Sequence, residues 1–349
     1  MKTKANWTAL IVGVAALSLS GCAPDSREVT AQSYEVLATD GQSNAMSGEI
    51  AAAPVLDEAQ IRKIVAGVQD VLDSAQESGD PAVLSERLTG SALAMRTAEM
   101  VRAQKTGKEL APLEIEINVA SATVAQSFPR TLLVGSSASA DDPAEVFLFT
   151  QADAKSDYML ENWVRVVGGN SIHGVAIDEG SQTLTADDEG GIMSPDEVVQ
   201  MYASFLKDPD NADFQVFVDD TFSPKQREEI TQLRTAVEQV GTIGFDAWPS
   251  DYPVTGVTLA SGEGLFAASL KTSTTYQRTV ADSKMAVGGT AASYLDNADV
   301  IGTVTVNYLV NFFFLLPPQD SQESIRIVGV ERAIESVSRD DAAKPEGEE

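Results

Sequence analysis

Thr303-Val304-Thr305-Val306-Asn307-Tyr308-Leu309-Val310-Asn311-Phe312-Phe313-Phe314-Leu315-Leu316 carries an apolar residue at each even position. Its odd positions begin as Thr303, Thr305 and Asn307. Side chains on a strand alternate between faces, so this pattern predicts a long β-strand with one face on a core. A strand of this length is expected to be bent or coiled. Asn311 interrupts the apolar run, which is in any case too short to span a bilayer.

The neighbouring sequence predicts further strands at residues 242–248, 254–259, 264–277 and 325–334. Two helices precede them. Ser194-Pro195-Asp196-Glu197 combines an N-cap Ser, Pro at the first helical position and Glu at the third, and it is followed by the stripe Val198, Val199, Tyr202, Phe205 and Leu206. Ser223-Pro224 repeats the device before Ile230, Leu233 and Val237.

The first half shows the same order. Asp57 and Gln60 approximate a capping box ahead of Ile61, Ile64, Val65, Val68, Val71, Leu72 and Ala75, which fall at helical spacing. A broken helix follows, resuming over residues 91–105 and ending at Gly107. Leu113, Ile115, Ile117 and Val119 then alternate with polar residues, predicting a strand, and more strands are predicted at 131–135, 145–150 and 158–167. Residues 168–192 are polar and Gly-rich and read as a strand end followed by a linker.

The fold class expected is therefore α+β, with two tandem domains at residues 54–180 and 194–338, each with N-terminal helices on a curved antiparallel sheet. The halves read as degenerate copies. Residues 145–167 align with 311–334, and the offset grows from about 135 residues at the helices to about 165 at these strands. Residues 278–301, with Gly288-Gly289, are the expected insertion. The charged tail, 339–349, is expected to be disordered.

Ahead of the fold, Lys2 and Lys4 precede an apolar run ending in Leu19-Ser20-Gly21-Cys22, and Cys22 is the chain's single cysteine. The run is about half the roughly 20 residues a spanning helix needs. Charge, short apolar run and small residues mark a secretory signal, residues 1–21, cleaved between Gly21 and Cys22. Residues 22–53, rich in Ser, Ala, Gly, Asp and Thr, read as a flexible tether. Its r.m.s. span would be about 30 Å and its full reach about 100 Å.

Leu-Ser-Gly-Cys resembles the lipobox of bacterial lipoproteins, and residues 55–102 look like a group of actinobacterial lipoproteins of uncharacterised function. That resemblance implies a diacylglyceryl thioether on Cys22, and hence a cell-membrane location on the extracytoplasmic face, held by acyl chains. Two chains suffice for stable anchoring. Ala23 rather than Asp follows the cysteine, which departs from the inner-membrane retention signal. Helices followed by a strongly curved antiparallel sheet resemble the nuclear transport factor two-like, or cystatin-like, cone fold. This implies a concave pocket between sheet and helices.

Composition excludes several functions. Lys and Arg number 24 against 52 Asp and Glu, for a formal charge of −28, and no basic cluster interrupts it. Such a surface repels nucleic acid and anionic lipid headgroups alike. With its one cysteine used for lipid attachment, the chain has no disulfide, and packing alone must stabilise it. A hydrophobic fraction of 43 % is enough to do so.

Catalytic patterns are missing. His173 is the single histidine and sits in a Gly-rich segment, so neither a zinc site nor a Ser-His-Asp site can be assembled from the sequence. Asp187, Asp188 and Glu189, or Asp208, Asp210 and Asp213, lack the spacing and central Gly of a calcium loop. Ser204-Phe205-Leu206-Lys207 matches Ser-x-x-Lys, with Lys271-Thr272-Ser273 downstream, but the intermediate Ser-x-Asn element is absent. No metal, cofactor or enzymatic activity is expected.

Trp163 is expected in the core. Trp248 and Tyr252 lie in a proline-bounded loop and are candidate binding residues for a sugar or a partner. The expectation is a non-catalytic, lipid-anchored envelope protein with a binding or scaffolding role, its partner an envelope protein. The alternative is a carrier of an apolar small molecule or lipid under the strand 303–316, and an enzyme comes third.

Overall fold

A computed structural model describes residues 53–124, 127–138, 143–167, 179–208, 210, 214–217 and 222–346. The class is α+β: helices pack on a large antiparallel sheet of ten strands. In chain order the elements are α1 (Glu58–Ser78), α2 (Gly90–Thr106), β1 (Val119–Ala122), β2 (Arg130–Gly135), β3 (Glu145–Gln151), β4 (Met159–Val166) and β5 (Thr183–Thr185). The second half supplies α3 (Pro195–Lys207), α4 (Ser223–Val237), β6 (Gly241–Pro249), β7 (Thr255–Thr258), β8 (Gly264–Arg278), β9 (Thr303–Leu316) and β10 (Arg326–Asp340).

Local signals set most helix ends. Asp57 accepts from the Gln60 backbone while Gln60 reaches back, and Ser194 does the same with Glu197. Both are complete capping boxes. Gly79 and Gly107 close α1 and α2 in the left-handed region, at φ 67° and 65°, where Gly carries no Cβ penalty. In α4 the cap is Phe222 and Ser223 is already helical, a one-residue shift from the sequence expectation.

The neighbour order is β1-β2-β3-β4-β10-β9-β8-β7-β5, with β6 also on β8. β6 and β7 lie end to end along the same side of β8, pairing with its second and first parts respectively. The order also returns to its start. Ser181, just before β5, donates to Ala122 O (3.0 Å) and accepts from Val124 N (2.9 Å), and its hydroxyl meets that of Ser121. The sheet thereby closes into a small barrel. Leu133, Val146, Leu148, Val164, Val257, Leu265, Phe313, Leu315 and Val328 fill its interior from seven strands. A barrel of about this strand number has an interior just wide enough to be filled by side chains.

Two helical layers cover the outside. α1 and α2 pack on Leu132, Val134, Phe147, Phe149 and Trp163 of β2 to β4. α3 packs on Phe266, Leu270, Val310, Phe312 and Phe314 of β8 and β9. There Tyr202 stands edge-on to Phe217, Phe312 and Phe314 at 5.2–5.3 Å between centroids, a favoured aromatic geometry. α4 and the insertion cover the far ends of the same strands, with Ile230 and Val237 against Ile243, Tyr276, Val304 and Val306.

Three sequence expectations need correction. First, the strands of residues 54–180 and 194–338 do not form separate sheets: β4 pairs with β10 through Val166–Gly329 and Arg165–Val330, and the stretch read as a linker holds β5, which helps close the barrel. Second, Leu113 to Ile117 is not a strand. Leu113 and Ile115 are buried as expected, but Gln69 of α1 stands in for a neighbouring strand, donating to Leu113 O (3.2 Å) and accepting from Ile115 N (3.0 Å). Third, the tail begins later than residue 339. Arg339 and Asp340 belong to β10, and Arg339 binds Asp341 and the carbonyls of Asn297 and Asp299.

At the seam between the halves, α2 wedges in where β4 and β10 part. Arg96 binds Glu99 (2.9 Å) and Ala111 O (3.0 Å), while Arg165 binds Glu331 (2.6 Å) and lies 3.6 Å from Glu145 and 4.0 Å from Glu99. Two guanidiniums thus face three carboxylates. Burial pushes the Glu331 carboxyl up to about 7, reinforced by Glu99 and opposed by Arg165. Gly329 is required here, because a Cβ would run into Val164 and the Arg165 carbonyl.

Candidate functional site

β8, β9 and β10 are about twice the length of β3 and β4, and their far halves project beyond the barrel. The odd face of β9 records the change. Phe313 and Leu315 point into the barrel, and Asn311 lies at its floor, accepting from Ser269 (2.9 Å), whose hydroxyl in turn lies 3.3 Å from the Asn162 amide. Leu309 is covered by the first helical layer. Beyond it Asn307, Thr305 and Thr303 are only half-buried.

Register carries this uncovered face across four strands. Asp246, Ser273, Asn307 and Ser336 form one row. Gly244, Thr275, Thr305 and Ser338 form the next, then Thr242, Gln277, Thr303 and Asp340. Rows lie about 6.7 Å apart along the strands, and neighbours within a row about 4.8 Å apart. Thr275 and Thr305 hydroxyls are 3.3 Å apart, and Asn307 Nδ2 donates to Ser336 (3.0 Å). The opposite faces of these same strands hold Ile243, Tyr276, Val304, Val306 and Ile334, all buried.

Trp248 stands at one end of this platform, opposite Lys271, and is 39 % exposed. Lys271 pairs with Glu335 (3.0 Å), and Asp246 lies 3.6 Å from Lys207. Tyr252 instead packs against the first helical layer. Its own burial, helped by Glu335, raises the phenol pKa, so it stays a neutral donor. Of the two candidates named from sequence, Trp248 thus flanks the open face and Tyr252 is partly withdrawn. The Thr, Ser and Asn rows were missed, although Thr303, Thr305 and Asn307 already showed in the alternation.

Trp163 is fully buried, as expected. Gly21, Cys22 and His173 lie outside the described residues, as do Asp213 and the tether to residue 52. Ser204 spends its hydroxyl on the Gln200 carbonyl, and Thr272 is buried on the covered face. Asp187 accepts from Thr185, and Asp188 from the Gly190 backbone. Among the described residues no cluster of three or more His, Cys, Asp or Glu side chains is placed to hold a metal ion, and no helix is long and apolar enough to cross a membrane.

Under β9 the space is occupied. Phe312 and Phe314 meet Tyr202, Phe222 and Phe266 on one side, and Phe313 and Leu315 fill the barrel on the other. A depression of about 80 Å³ lies at the barrel rim beside Leu184, Gly191, Gly264 and Leu316. An open groove of about 420 Å³ runs between Arg102 and the stretch Lys108 to Pro112. The first is far smaller than a typical ligand pocket, and the second is shallow and open to solvent.

No curated protein and no solved structure matches this sequence significantly. One family model does, over residues 52–337, which takes in both helical layers and every strand of the barrel. The chain belongs to the family described as a domain of unknown function, DUF8094.

Proposed function

We propose that this chain is a non-catalytic binding protein of the cell envelope, anchored by lipid on Cys22, which presents the uncovered face of β6, β8, β9 and β10 to a partner. The observation that carries this reading is that face: three rows of mainly small polar side chains on strands whose opposite side carries the buried Ile243, Tyr276, Val304, Val306 and Ile334. A face needed only for folding would tolerate any polar residue. This one is dominated by Ser, Thr, Asn and Gln in a chain otherwise rich in carboxylates.

A tether of about 30 residues would let the face stand up to about 100 Å from the membrane. The chain joins the fold at the barrel, where Val55 N donates to Thr123 O, while the platform lies on the projecting far halves of the strands. The two halves, each a helical layer followed by antiparallel strands ending in a hairpin, fit an origin as two copies whose last strands, β4 and β10, now pair. Among the described residues the side chains under β9 pack on one another, which does not favour the carrier alternative.

Two measurements test the proposal. Cys22→Ser should move the protein from the membrane fraction to the soluble one; retention with lipid would sink the anchoring. A photo-crosslinking residue at Thr305 should form adducts in intact cells, while the same residue at Lys63, on the exposed side of α1, should not. Equal labelling at both positions would sink the assignment of the face.

A further inference from the structure

The geometry points to a neutral, polyhydroxylated polymer, a glycan strand, as the occupant of the open face, with Trp248 as its stacking residue. This rests on the reading of that face as the binding surface. Dry protein–protein interfaces have an apolar centre. Here the middle of the face on β8 to β10, Ser273, Asn307 and Ser336, then Thr275, Thr305 and Ser338, offers hydroxyl and amide groups, with Asp246 at the β6 margin. Each hydroxyl both donates and accepts, and so does the Asn amide. That is the hydrogen-bonding repertoire of a sugar ring's own hydroxyls, repeated at intervals of about 5–7 Å.

Charge narrows the class further. The chain carries −28 overall, so an anionic polymer is repelled before it arrives. On the face itself the charges are already engaged: Asp246 with Lys207, Lys271 with Glu335, and Asp340 with the Ala342 backbone N–H. The middle of the face is thus an uncharged window between charged margins, which complements an uncharged ligand. Trp248, an exposed large aromatic at the platform's edge, gives an apolar plane to the axial C–H groups of a pyranose while its rim stays wet.

The test uses the full chain in detergent micelles, titrated with cellohexaose, chitohexaose and mannohexaose, with dextran sulfate as the anionic control. The expected result is a saturable change in Trp emission with at least one neutral oligosaccharide and none with dextran sulfate. Trp248→Ala should abolish the signal and weaken binding measured by calorimetry at least tenfold. Asn307→Ala should weaken it about fivefold while leaving the thermal midpoint unchanged. No saturable binding to any of the three, or binding unaffected by both substitutions, overturns the inference. If binding is absent but the Thr305 crosslink captures one discrete protein, the face remains a binding surface and only its glycan occupant is wrong. If both fail, the two readings fall together.

Discussion

The hairpins β3–β4 and β9–β10 occupy corresponding places in the two halves, yet they end differently. β3 and β4, seven and eight residues long, are spent on the barrel and its helical cover, and Phe147, Leu148, Phe149 and Trp163 are buried on one face or the other. β9 and β10, fourteen and fifteen residues long, complete the barrel with one end and still extend past it. In the first half every strand face is needed to hold the structure together. The extra length of the second half leaves a face with no structural duty, and polar rows occupy it. Function in such a fold is expected where strand length exceeds what closure requires.

That contrast can be broken at several points. The largest effect is expected where the strands serve packing: Phe314→Ala should cost about 4 kcal/mol, read from urea unfolding, as large-to-small changes in a tight core do. A loss below about 1 kcal/mol would mean the α3 layer is loosely packed. Next is the seam. Arg165→Met leaves Glu99, Glu145 and Glu331 without their shared partner and should cost about 3 kcal/mol at pH 8, with a smaller loss at pH 5.

The same seam should make stability depend on pH. Because the folded state raises the Glu331 carboxyl to about 7, above its unfolded value near 4.3, its contribution is full below about pH 4 and is lost as pH rises through 7. Glu331→Gln should therefore flatten unfolding free energy between pH 4.5 and 7.5 by roughly 3 kcal/mol relative to the parent chain. An identical pH profile in the two proteins would show that the carboxyl is ionised throughout. The smallest effect belongs to the platform's exposed edge: Gln277→Glu should change stability by less than about 0.5 kcal/mol, as for an exposed position, and a larger loss would place that face against something within the fold.

Much of this architecture was legible in the residues. The capping boxes at Asp57 and Ser194, the glycine at 107, and the alternation in β9 are local signals, and the structure follows them. What the sequence hid was long-range. Nothing in Val166 or Gly329 announces that they pair, and β5, three residues in a Gly-rich stretch, is a strand because β7 lies beside it. The stretch from Leu113 to Ile117 has a strand's pattern without a strand's partner, since Gln69 reached it first. Trp248 was legible as a candidate because an aromatic between prolines is conspicuous. The hydroxyl rows were not, because Ser and Thr on one face of a strand look like ordinary solvated positions until register aligns them.

The projecting sheet also has two bare margins: among the described residues β6 pairs with β8 alone, and β10 past Val330 with β9 alone. Open margins invite another molecule's strand to join, and leashing many copies to one surface would raise their chance of meeting. Pro249 at the end of β6 lacks an amide proton to offer, and Glu335, Arg339 and Asp340 stud the other margin with charge. A crowd of these molecules can therefore stand shoulder to shoulder without knitting into a continuous ribbon.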